Sequence, residues 1–162
     1  MDNIYVRKNI NFKKLLEIGE QAEKSIIDAF NKTNRWHAEK VDRKLGFDIL
    51  VSCKETGKTK NVEVKSHKGS NRAGQAYNTL YAEVVQNTDI GSVPEYLTSN
   101  HIDYVIHINQ HENVFYLFDH KKFQNFVLEH TYMATQAKYA TSSGIKVGWQ
   151  DENAGFLFKF AM

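Results

Sequence analysis

Cysteine is almost absent. Cys53 stands alone among 162 residues, so no disulfide can close within the chain and no cysteine-based zinc site can form. A reducing compartment suits such a chain, and Cys53 itself reads as a small strand residue. Long apolar runs are lacking as well. No stretch approaches the roughly 18 apolar residues of a membrane span, and the first residues hold no signal-peptide apolar core. A soluble, cytoplasmic protein with no membrane partner is expected. Net charge is small at +2, too little to argue for a polyanionic partner by itself. The single proline, Pro94, sits where a short helix can begin, over Pro94 to Ser99.

What is present is ordinary globular composition. Hydrophobic residues make up 41% and charged residues 25% of the chain, enough for a single domain over residues 1–162 with a sizeable core. The distribution of charge says more than its total. Between Arg43 and Arg72 stand eight basic residues against three acids, a segment charge of +5 that leaves −3 for the remainder. A basic zone around an acidic pair suits a polyanion held next to a metal.

Residues 1–11 are polar and read as a lead-in. The period from about Phe12 to Asn31 predicts a helix with one apolar half, including Leu15, Ile18, Ala22, Ile26 and Phe30. Glu23 falls inside that apolar arc. It can be a buried structural ion pair or a carboxylate aimed at a metal site on the adjoining sheet. Arg35 to Val41 predicts a short strand, and Asp42 to Leu45 a polar bend. Thr79 to Gln86 alternates like a strand, with Glu83 in it either a solvent-facing residue or a further polar group near the site. Tyr104 to Ile108 and Val114 to Phe118 predict two apolar strands joined by a turn. Asp119 can cap a helix from His120 to about Glu129, with Phe123, Phe126 and Val127 as its buried stripe. The stretch from Thr131 onward is less regular, with an edge strand expected over Phe156 to Phe160. His107 alternates with apolar neighbours and reads as structural.

The chain is organised around Gly46 to Lys65. Two strand-like flanks, Gly46 to Cys53 and Asn61 to Lys65, enclose a polar middle holding Thr56-Gly57, a turn signal. With those two as the turn residues, Asp48 faces Lys65 and Leu50 faces Glu63. Asp48, Glu63 and Lys65 then share one face, the two acids as diagonal neighbours about 7 Å apart. Two acids and a lysine are a poor way to build a core and a good way to hold a divalent cation and activate water.

The pattern G-F-D-I-L-V … V-E-V-K, with Asp48 lying 25 residues after Glu23 and Glu63 another 15 on, resembles the PD-(D/E)XK nuclease superfamily. Phe47 stands where that name has proline. Gly19-Glu20-Gln21-Ala22-Glu23-Lys24 looks like the first helix of the archaeal Holliday-junction resolvases, which selects Glu23 rather than Glu20. The similarity covers roughly residues 15–68. It implies an α/β, restriction-endonuclease-like core: a helix, a central mixed sheet of four to five strands, and helices flanking it. It also implies roles. Asp48, Glu63 and the Val64 carbonyl would ligate Mg²⁺, with Mn²⁺ as a substitute. Lys65 would position or deprotonate water, and Glu23 would bind a second cation or orient water. The product would carry a 5′-phosphate, and a homodimer would present two sites to duplex or branched DNA.

After the motif comes a glycine-rich basic loop, Ser66 to Gln75. His67, Lys68 and Arg72 in it, with Lys44 before the hairpin, can contact phosphates or be a solvated basic surface. Three functions stay open: a structure-selective, metal-dependent DNA endonuclease, a sequence-specific restriction-type nuclease, and a non-catalytic nucleic-acid-binding module on the same fold.

Overall fold

A computed structural model describes residues 2–70, 73–85, 91–136 and 142–161. The first helix, α1, runs over Asp2–Asn31. It takes in the segment expected to be a lead-in, because neither glycine nor proline interrupts the chain before Gly19. At its end the Asn31 side chain clamps the next strand: the Ala38 amide donates to Oδ1 at 2.7 Å, and Nδ2 donates to the Ala38 carbonyl at 3.0 Å. That strand is β1, Trp36–Lys40. A single 3-10 turn, Arg43–Leu45, leads into the hairpin of β2, Ile49–Cys53, and β3, Thr59–His67.

β1, β2 and β3 form an antiparallel meander. β4, Thr79–Val85, and the short helix α2, Glu95–Thr98, follow. β5, Tyr104–Asn109, then returns parallel to β3. β6, Val114–Asp119, and the helix α3, His120–Glu129, come next. The remaining strands are β7, Thr135–Gln136, β8, Ser143–Gly148, and β9, Phe156–Ala161. The protein is thus α/β with a mixed sheet in the order β1-β2-β3-β5-β6-β9. Six strands exceed the four or five expected. β4, β8 and β7 make a second sheet that the irregular tail did not announce. No described helix is long and apolar enough to cross a membrane.

Alternation along each strand sends side chains to two different cores. On one face, Ala22 and Ile26 of α1 pack on Ile49, Val51, Val62, Val64 and Ile106. On the other, Val105 and Phe118 meet Phe123 and Val127 of α3, Leu80 and Ala82 of β4, and Val147 of β8. Phe123 and Val127 are fully buried, each burial contributing about 1.5–3 kcal/mol. Asp119 caps α3 as the sequence suggests, accepting from the Lys122 amide at 2.9 Å.

The hairpin closes two residues away from the expected register. Ile49 stands opposite Val62 and Leu50 opposite Asn61. The loop is Lys54 to Gly57, closed by the Gly57 amide donating to the Cys53 carbonyl at 2.8 Å. A two-residue hairpin turn of the favoured type needs positive φ at both central residues, which a β-branched Thr56 resists. The longer loop asks it of Gly57 alone, at +70°.

Candidate active site

Asp48 lies one residue before β2, whose first residue, Ile49, stands opposite Val62. The Asp48 amide donates to the Val62 carbonyl at 3.1 Å, and Asp48 Oδ2 accepts from the Val64 amide at 2.8 Å. The two carboxylates lie close enough for the Asp48 charge to bear on Glu63. Lys65 lies two residues beyond Glu63 on the same face, its Nζ 2.8 Å from Glu63 Oε1. Asp48, Glu63 and Lys65 do converge. Val64, whose carbonyl is the expected backbone ligand, is itself buried in β3 beside Ile106 of β5.

Charge in this cluster is unbalanced. Burial pushes the Glu63 carboxyl up to about 7; Lys65 pulls it down and Asp48 adds to the rise. Burial opposes the charge on Lys65, yet the Glu63, Asp48 and Glu83 carboxylates outweigh it and hold the amine above its ordinary value. Lys65 is therefore a fixed cation, suited to anchoring an anion rather than accepting a proton.

The opposite wall comes from the second sheet and α2. A cavity of about 220 Å³ is lined by Lys65, His67, Tyr81, Glu83, Tyr96 and His107 among others. The Lys65 amine sits 5.4 Å from the centroid of the Tyr96 ring. Tyr96 is fixed from behind: its hydroxyl donates to the Glu83 carbonyl at 2.5 Å, and its own carbonyl lies 2.6 Å from Nε2 of the buried His120. Gln124 adds a bond to the Leu97 carbonyl at 2.8 Å. A four-residue helix thus holds its position through α3. Glu83 stands at an irregularity in the β4–β8 pairing, a device that re-aims side chains beside functional sites. Burial raises its carboxyl and Lys65 partly offsets that. Sequence alternation showed Glu83 on one side of a strand but not which side was covered.

Glu23 belongs elsewhere. Its Oε2 pairs with Lys40 Nζ at 3.3 Å, on the face where α1 packs. Glu63 and Lys65 point to the other face. Among the described residues no three His, Cys, Asp or Glu side chains gather at metal-holding distance. The expected three-carboxylate centre is replaced by a pair, Asp48 and Glu63, and the ion-pair alternative for Glu23 is the one observed.

The expected phosphate contacts divide. Lys44 and Lys68 are exposed. Arg72 lies outside the described residues. His67 is not in a loop but ends β3, with its Nε2 2.8 Å from His107 Nδ1 and the edge of Trp149 beside it. Burial and the Lys65 charge lower it to about 4. It is uncharged at neutral pH and cannot serve as a phosphate-binding cation. His107 is buried against Phe118 and Phe123, the structural place expected of it.

No protein-family model, curated protein or solved structure matches this chain.

Proposed function

We propose that the protein is a metal-dependent DNA endonuclease of restriction-endonuclease-like architecture, hydrolysing phosphodiester bonds at Asp48, Glu63 and Lys65. The observation that carries this is the meeting of the Asp48 and Glu63 carboxylates beside the Lys65 amine, which is 2.8 Å from Glu63. Burial raises the Glu63 carboxyl and the Asp48 charge adds to the rise, and a cation held between the two acids would favour their charged forms. The donor set fits a hard divalent cation, Mg²⁺ or Mn²⁺, which prefers oxygen and keeps several waters. When bound, such an ion would neutralise the scissile phosphate and acidify an attacking water.

The chain's own groups do the rest. The Val64 amide fixes the Asp48 carboxylate in orientation. Lys65, held protonated, places positive charge where the phosphorane gathers negative charge. Tyr96 and Glu83 line the cavity beside the amine. Lys44 and Lys68 supply exposed cations for flanking phosphates. The chain path also supports this reading: α1 precedes a mixed sheet and α3 packs on its far face, as the resemblance implies. A homodimer presenting two sites suits a two-stranded substrate.

The test is cleavage of junction, flap, linear duplex, single-stranded and RNA substrates with Mg²⁺. Glu63→Ala and Lys65→Ala should each lower the rate at least about 100-fold. Discrete bands from long duplex DNA would mean sequence-specific cutting. Full activity in either variant overturns the proposal.

A further inference from the structure

The face of the large sheet that carries α1 is only partly covered. A helix is about 10 Å wide, whereas six strands span about 24 Å. Beside the end of α1 the sheet leaves a cavity of about 520 Å³, within the range of small-ligand sites. It lies on the opposite face from Asp48, Glu63 and Lys65.

Its lining combines two chemistries. Arg35, Lys58 and Lys60 bring three cations, all exposed. Trp36, Tyr104, Phe158 and Phe160 bring aromatic rings. Among the described residues no acidic side chain lines it. Two cations already sit near rings: the Arg35 guanidinium is 5.4 Å from the Trp36 centroid and Lys60 Nζ 6.0 Å from that of Tyr104. On the β9 side Phe158 and Phe160 are 58% and 40% exposed. Phe160 is braced by stacking on Phe115 at 4.8 Å.

We propose that this groove binds an unpaired segment of DNA, its bases stacked on the rings and its phosphates on the three cations. Rings and cations interleaved along a groove are how single strands are held without sequence readout. A duplex keeps its bases stacked on each other and offers the rings nothing. An apolar protein partner would bury three cations without counter-charge. A second copy docked face to face would set those cations against their own images. The proposal does not depend on the cleavage chemistry on the other face.

The experiment measures fluorescence anisotropy of a labelled dT12 strand, with EDTA present so that no divalent cation contributes. Lys58→Glu combined with Lys60→Glu should weaken binding at least tenfold. Phe158→Ser, on an exposed edge position, should weaken it five- to tenfold, as loss of one stacked base predicts. An abasic twelve-mer should bind more weakly to the unaltered protein and be indifferent to Phe158→Ser. The salt slope, log K against log salt, should be about −2 for three phosphate contacts. Glu63→Ala should bind dT12 as the unaltered protein does, so loss of cleavage and loss of this site are separable. Equal affinity for dT12 and the abasic strand overturns the proposal. So does Phe158→Ser leaving affinity unchanged, including the case where sedimentation shows it dissociating a dimer.

Discussion

Lys65 Nζ lies 2.8 Å from Glu63 Oε1, and the same amine answers to Asp48 and Glu83. Removing it leaves the Asp48, Glu63 and Glu83 carboxylates without the amine they share. Lys65→Met should therefore destabilise the metal-free protein at pH 8 by about 1–2 kcal/mol, less than a fully buried pair would cost because the amine is about a third exposed. Urea titration in EDTA checks this.

Glu63 gives a pH dependence of definite sign. Its folded-state value is raised from 4.5 to about 7, so the folded protein holds this proton more tightly than the unfolded chain. Its contribution to stability is present below pH 4.5 and lost as pH rises through 7. Glu63→Gln should match the parent near pH 4.5 and exceed it at pH 8 by about 1–3 kcal/mol. Added Mg²⁺ should raise the parent's Tm at pH 8 and leave Glu63→Gln nearly unmoved, as binding to the folded state alone requires. Thermal scans at the two pH values, with and without Mg²⁺, decide it.

His67 acts in the other direction. It is lowered from 6.5 to about 4, so the unfolded chain binds its proton first. Stability from the neutral ring is present above pH 6.5 and lost as pH falls toward 4. Relative to His67→Gln, the parent should lose up to about 1.4 kcal/mol for each pH unit across that window. Because Glu63 offsets this in the parent, the comparison is cleanest in the Glu63→Gln background.

Gly69 has φ of +77°, and a Cβ there would fall 1.9 Å from Asn109 Oδ1. That oxygen accepts from the His111 and Glu112 amides at 3.1 and 3.2 Å, holding the β5–β6 turn. Gly69→Ala should cost more than about 2 kcal/mol by combining a strained backbone with a displaced turn. Gly74→Ala, which has positive φ but nothing within 4 Å, should cost about 1 kcal/mol. Chemical denaturation of the two variants separates clash from strain.

Much of the site was legible because strand side chains repeat every two residues. The hairpin register slipped by two, Leu50 standing opposite Asn61 instead of Glu63, an even slip that leaves every paired side chain on its expected face. A slip of one would have scattered them. Helix periodicity placed Glu23 in the apolar arc correctly, but periodicity does not say which sheet face a helix covers, and Lys40 claimed the carboxylate. Alternation left Glu83 open between the site and solvent, and nothing in the sequence singled out Tyr96. Glu83 sits on a strand whose partner is β8, and the Ser-Gly-Ile-Lys-Val-Gly sequence of β8 gives little strand signal. His67 was misplaced because β3 continues two residues past the motif into a segment whose composition suggests loop.

β4 pairs with β8 some sixty residues later in the chain. During synthesis, the hairpin bearing Asp48, Glu63 and Lys65 emerges well before the strand that secures the wall facing it. Long-range pairing of this kind forms slowly. The ribosome therefore finishes the charged floor early and leaves the β4 part of its roof unsecured until β8 arrives, so a chain cut short before Ser143 would carry Glu83 on a strand without its partner.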